Sequence, residues 1–549
     1  MSRLDSGPKM SLRSAHAHIE RDSARNDLRG VPANRGHKPG RIQIVEFGED
    51  GDPLTALDEC TQRDYLRCYL HDLHVRWLLV EANYFDRDYL AAFKAFYGES
   101  ARGYINVCRR VSFFTDGMCS SSAAFRGLLE EAAGGAQQAC AALQECFKGF
   151  TVLRPIRTSL GRTVLGWYPD DRPGVLSRVV APCRDYEINI AGIRLTVEGL
   201  AWQQQDSAVA ACATVGLWSM LQSSAFRDRV AFPTTAAITE SAHRTASLGE
   251  RVFPSSGLYN HHLLEAIKEQ GLEPLLIEGD INDGDQPVFS MTRFASTVAM
   301  LLRSGFPILL VGKRGKEGHV VCAVGCRPKS PPKLKCGYFE EEDGALENLY
   351  IHDDALGPNV RFALREGAAG EVVLFPHAPE PRSAVRPVVD PTNNVDEFVP
   401  RHMAVAVVRE LRLLPDLLHE KALEIAKDIS VEVSGIQGSS PTVPGVHFSL
   451  LLVRLADYLG QILARSVTAG KPLARARLAL VERIAPLSLY LAVVRLSMAG
   501  RPTMDVLYDT SDAAPGLKPM AHVVFDSGIE WLLKKADWLG PYGRRVRAY

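Results

Sequence analysis

A chain of 549 residues is long enough for about three to four domains, each with a core of its own. Apolar residues make up 46% and charged residues 23%, which excludes a chain disordered throughout, and 63 Lys and Arg against 64 Asp and Glu leave no charge excess to draw nucleic acid or an anionic membrane. Eleven cysteines, an odd number without a Cys-x-x-Cys pair and with no apolar leader behind Met1, point to reduced thiols in a cytoplasmic setting; no run reaches the roughly 18 apolar residues of a membrane span.

Residues 1–40 are poor in large apolar side chains and rich in Arg, Ser, Asn and Gly, the composition of a disordered, mildly basic tail. Residues 41–155 read as an α/β accessory domain. It has a strand at 41–47, helices after Asp58 and Asp86, extended chain at 105–114, and a long helical pattern at 121–147 weakened by Gly134 and Gly135. Short extended segments at 163–167, 177–181 and 186–190 then predict a small sheet leading into the stretch that organises the chain.

That stretch is Gln203-Gln204-Gln205-Asp206 followed by Cys212, from which small and apolar residues recur at helical spacing. Cys212 therefore stands where a loop becomes a helix. There the unpaired N–H groups and the positive end of the helix dipole stabilise a thiolate, and a glutamine shortly upstream can turn its amide to an oxyanion. The plain structural alternative is a buried cysteine in an alanine-rich helix. Helices follow from Pro233 to His243, from Leu258 to a stop at Gly271, and from Phe294 to a stop at Gly305. Strands at 273–277, 307–312, 318–325 and 348–353 come after them, giving α+β as the fold class. His319 opens the third of these strands and Asp353 closes the fourth. On adjacent strands, the carboxylate would fix the imidazole tautomer and leave the other ring nitrogen to a thiol. The segment 326–347 is longer than a hairpin needs and carries opposite charge blocks, as a surface loop would.

A proline-rich linker is expected at 376–400, then a C-terminal α/β domain at 401–549. In that domain the patterns predict a strand at 403–408, helices at 414–427 and 452–465, a hairpin from 489–497 to 503–508, a strand at 522–525, a helix at 527–536 and a mobile basic end at 543–549. No metal or cofactor is expected. Cys322 and Cys326 lack a second pair, Asp505, Asp509 and Asp512 are of a kind common at strand ends, and Gly312-Lys-Arg-Gly315 lacks the ending of a phosphate loop.

Gln, then Cys at a helix start, His opening a strand, and Asp closing the next one form an ordered set. On Gln205, Cys212, Gly257-Leu258 through Gly271-Leu272, Ser304 to Pro307, Gly318-His319-Val-Val and Asp353 to Gly357, the chain resembles the papain-like cysteine peptidase superfamily. Within it the likeness is to the bacterial double-glycine (bacteriocin leader) peptidase branch, with phytochelatin synthase more distant. It runs from about Leu200 to Val372, inside a domain placed at 156–375. The resemblance implies a papain-like fold, with Cys212 as nucleophile, His319 as its base, Asp353 as orienting carboxylate and Gln205 in the oxyanion hole. The family places its glutamine six residues before the cysteine, where this chain has Asp206, so Gln204 stays open as an alternative, as does Asp354 for Asp353. The implied activity is hydrolysis of an amide or isopeptide in a protein or peptide substrate. An acyltransferase of the same fold, or a catalytically idle binding module, is the other expectation, and the oligomeric state is left undefined.

Overall fold

The computed structural model describes residues 42–549 apart from 118, 170–174, 207, 228–229, 245–250, 256, 283, 330–338, 342–343, 378–396, 437–444, 468–469, 484–488, 512–516, 529 and 531–542. The expected tail, most of the linker, half of the charged loop and most of the helix at 527–536 lie outside the described residues. What is described is a mixed α+β chain built around three main sheets.

The first sheet is an antiparallel meander of Ile42–Glu46, Val75–Tyr84, Cys108–Thr115, Phe147–Leu153 and Leu160–Leu165, paired in that order. The helix Arg87–Ala95 starts where Asp86 accepts from the backbone N–H groups of Asp88 and Tyr89. The long helical pattern at 121–147 resolves into two helices, Ser122–Ala133 and Gln137–Cys146. The break falls at Gly134 and Gly135, the latter with φ +91°, which a side-chain-bearing residue adopts at a cost.

The segments expected to form a small sheet ahead of Cys212 divide differently. Leu160–Leu165 is the edge of the first sheet, and Val179 makes a single bridge to Cys326. Arg184–Ile190 and Ile193–Gly199 pair as a hairpin, turned at Ala191 and Gly192, both with positive φ. Trp202 then bridges to Thr163, tying the approach to Cys212 to the first sheet.

The second sheet is a closed barrel. Ile308–Arg314, Glu317–Pro328, Leu346–Asp353, Gly357–Glu366, Val372–His377 and Phe398–Val407 pair antiparallel in this order, and the last returns to pair with the first. Glu273–Glu278 adds to Phe398–Val407 outside the closure. The strand expected to open a C-terminal domain at 401 thus belongs to the central sheet, because its alternation pairs it with Ile308–Arg314 on one side and Glu273–Glu278 on the other.

Against this barrel lies the helix Cys212–Leu221, every residue of which is buried. A helix apolar all round is one surrounded by protein. It packs closely: a Cβ on Gly216 would stand 3.1 Å from Leu309 Cδ2. Thr235–Ala242, Asn260–Glu269 and Met291–Arg303 complete the helical layer, the last two followed by strands as expected.

The third sheet holds Phe339–Glu341, Val446–Arg454, Tyr490–Met498, Arg501–Asp509, Pro519–Val524 and Arg544–Arg547. Its two outer strands pair parallel to their neighbours. Glu340 and Glu341, expected in a surface loop, sit in an edge strand, and the expected mobile end at 543–549 is the opposite edge, held by backbone pairing to Ala521–Val524. The core runs without interruption from the first sheet through the Cys212 helix and the barrel to one face of this third sheet. A smaller cluster around Leu451, Tyr458 and Leu491 fills its other face. No helix among the described residues is long and apolar enough to cross a membrane.

Candidate active site

Cys212 is the first residue of its helix, and Ala211 before it supplies no side-chain cap. The first-turn N–H groups therefore stay available to an anion at the sulfur. The loop leading in is shaped by Asp206, whose Oδ1 accepts from the N–H groups of Ala208, Val209 and Ala210 at 2.9, 2.6 and 3.1 Å. Asp206 in turn donates its own N–H to the Ala210 carbonyl, and Arg154 stands 3.7 Å from its other oxygen. Asp206 thus organises the loop through three backbone donors that an amide oxygen would hold less strongly.

The three glutamines before it have different surroundings. Gln204 turns back to the first sheet, its Oε1 3.4 Å from the Leu160 N–H. Gln205 is half-buried. Gln203 is buried, and its Nε2 has no hydrogen-bond partner among the described residues.

His319 lies directly opposite Gly312 across the hairpin. Gly312 is required there by close approach: a Cβ would meet the Val399 carbonyl oxygen at 2.2 Å and the Phe398 ring at 2.9 Å. The same Phe398 ring packs edge-on against His319, with centroids 6.2 Å apart. His319 Nε2 is 3.3 Å from Asp353 Oδ1 and 3.8 Å from Asp354 Oδ1, and the helix that Cys212 opens packs on the His319 strand, near enough for the thiol to act on the ring. The nucleophile, base and carboxylate expected from the sequence are therefore brought together from a helix start, a strand start and a strand end.

Charge governs this cluster. Burial and the Arg314 guanidinium push the imidazole toward neutrality, but the Asp353 carboxylate, helped by the thiol, outweighs them and raises the His319 pKa to about 10. Burial likewise works against an ionised Asp353, yet Arg314 and His319 together hold it well below the usual carboxylate range. Asp354 stands in the same turn, where His319 and Arg314 offset less than burial and the Asp353 charge together add, and burial above all pushes it up to about 6. Both aspartates are buried, so the two carboxylates differ by partner and not by depth.

Sequence reasoning missed Trp202, Arg314 and Gln62. Trp202 Nε1 donates to the Asp353 carbonyl at 2.9 Å, Gln62 Nε2 donates to the Asp354 carbonyl at 2.9 Å, and Arg314 ion-pairs with Asp353 through both of its terminal nitrogens. Arg314 had a signal: five residues before His319 across a two-residue turn, it shares the histidine's face of the hairpin. The neighbouring His352 is a structural histidine. Its Nδ1 accepts from Asn359 N–H, its Nε2 faces the Leu200 carbonyl, and burial lowers its pKa to about 4.

His319, Asp353 and Asp354 offer donor atoms within 4.8 Å of one another. The guanidinium on Asp353 already supplies the positive charge that a cation would bring. Asp505, one of the aspartates considered as a ligand, is bound by both Arg495 nitrogens at 2.8 Å and by the Tyr458 hydroxyl at 2.9 Å. No protein-family model matches the chain, and no curated protein matches it.

Proposed function

We propose that this protein is a papain-like cysteine hydrolase that cleaves an amide or isopeptide bond in a protein or peptide substrate, in a cytoplasmic setting. The observation that carries it is the meeting of the Cys212 thiol, at an uncapped helix start, with an imidazole held charged by a buried carboxylate. Such a pair rests as thiolate and imidazolium, the proton of the thiol already on the ring, and the thiolate attacks a carbonyl. The tetrahedral oxyanion rests on the Cys212 backbone N–H and on a glutamine amide. Gln205 is the assigned donor, with Gln204 the alternative: the Gln204 bond to the Leu160 N–H uses its Oε1 and not the donor Nε2. His319 protonates the leaving amine and then activates water to release the acyl group, while Asp353 keeps the ring in place.

The helix with its leading cysteine packed on a barrel that carries the histidine and aspartate agrees with the papain-like plan. Sub-stoichiometric iodoacetamide followed by peptide mapping tests the nucleophile. Cys212 is expected to react at least about tenfold faster than the other thiols at neutral pH, and His319→Ala is expected to abolish the difference. A proteome-wide cleavage profile of wild type against Cys212→Ala then separates hydrolysis from idle binding, and an added amine acceptor reveals acyl transfer. Equal labelling of all thiols removes the basis for an enzyme.

A further inference from the structure

Resting on the hydrolase assignment, we propose that Arg314 is a positioning residue of the site: its guanidinium keeps Asp353 ionised and fixes the carboxylate so that Oδ1 stays on the His319 ring.

The geometry comes from the hairpin. Gly312 faces His319, and Arg314, two residues further along the strand, extends from the same face before the turn at Gly315. Arg314 and His319 thereby reach one carboxylate from adjacent strands. The guanidinium pairs with Oδ2 and lies 3.5 Å from Oδ1, while Oδ1 also faces His319 Nε2 at 3.3 Å and accepts the Ala355 N–H at 2.9 Å. Both oxygens are thus held, and the plane of the group is fixed.

The need for such a grip follows from burial. Asp353 is fully buried, and a carboxylate there without a counter-charge takes up a proton, after which it offers no negative charge to an imidazolium. Asp354 shows the tendency one residue away: it is also buried, it lacks the arginine fork, and its pKa rises to about 6. The charged and titratable groups around the pair are Arg314, His319, Asp353, Asp354 and the Cys212 thiol. Arg314 is the permanently charged one among them. An uncharged orienting amide in place of Asp353 would need no arginine, which makes the two positions interdependent.

The pH profile of Cys212 alkylation by iodoacetamide, read by peptide mapping of the full chain, tests this without any substrate. Arg314→Met is expected to move the acid limb upward and to slow labelling at pH 6 by about tenfold, the equivalent of one pKa unit. Arg314→Lys, which keeps the charge, is expected to recover most of the rate. In an Asp353→Asn background, Arg314→Met is expected to cost less than about threefold more, because the residue through which the arginine acts has lost its charge. Circular dichroism confirms that each variant is folded. An equal loss from Arg314→Met in both backgrounds, or an unshifted profile in the single variant, overturns the role of Arg314 while leaving the hydrolase assignment intact. A wild-type Cys212 no faster than the other thiols overturns both.

Discussion

His319 owes its charge to an aspartate 34 positions away, and that dependence sets how the folded state responds to pH. Its pKa is raised from 6.5 to about 10, so the stabilisation from the charged ring is fully present below pH 6.5 and is lost as the pH climbs through 10. Asp353, held low, contributes in the opposite sense: its share is present at neutral pH and disappears only in strong acid. The Tm advantage of wild type over His319→Gln should therefore be larger at pH 6 than at pH 10, by differential scanning calorimetry. A difference that does not change with pH would show that the ring is not ionised in the native state. At this scale the sequence exposed the thiol, the imidazole and the carboxylate, because each sits at the end of a recognisable element. It did not expose Trp202 or Gln62, whose partners are the carbonyls of Asp353 and Asp354, 151 and 292 positions away.

At the scale of elements, the seam between Ile308–Arg314 and Phe398–Val407 holds the histidine in place. The pairing shifts register between Val311 and Gly312, and the strands come so close that residue 312 has no room for a methyl group. Gly312→Ala must push either Val399 or the His319 strand aside. It is expected to lower stability by about 1–3 kcal/mol in urea titration and to reduce Cys212 labelling. Unchanged stability with unchanged labelling would mean that the seam tolerates a wider spacing. The alternation of residues 403–408 revealed a strand but not its sheet. Neighbouring strands are chosen by long-range pairing, and the proline-rich stretch before it suggested a boundary that the barrel crosses.

Across the whole molecule, the first sheet and the barrel share one core, and polar contacts bind them at the Asp353 turn. Gln62 holds the Asp354 carbonyl, the Tyr69 hydroxyl accepts from Asn359 Nδ2 at 3.0 Å, and the Tyr65 ring fills the space beside Gly357, where a Cβ would come within 2.2 Å. The helix Thr61–Asp72 beside the first sheet is therefore structural support for the site. Removing residues 1–155 is expected to leave a remainder that binds the dye ANS and lacks near-UV circular dichroism, since four of the five strands of the first sheet go and the Asp353 turn loses Gln62, Tyr65 and Tyr69. A cooperative unfolding transition in that remainder, with Cys212 labelling at the wild-type rate, would show that the two parts fold separately.

The sequence by itself determined the local events: where the Cys212 helix begins, which strands carry His319 and Asp353, that Gly134 and Gly135 weaken the helical pattern at 121–147, and the mixed α+β character. These follow from periodicity, caps and breakers that act over a few residues. Tertiary structure alone decided that the strands close into a barrel, that residues 543–549 pair as a sheet edge, and that Asp353 meets an arginine while Asp354 does not. Strand partners and counter-charges are selected by contacts between segments far apart in the chain, and a one-dimensional pattern carries no distance between them.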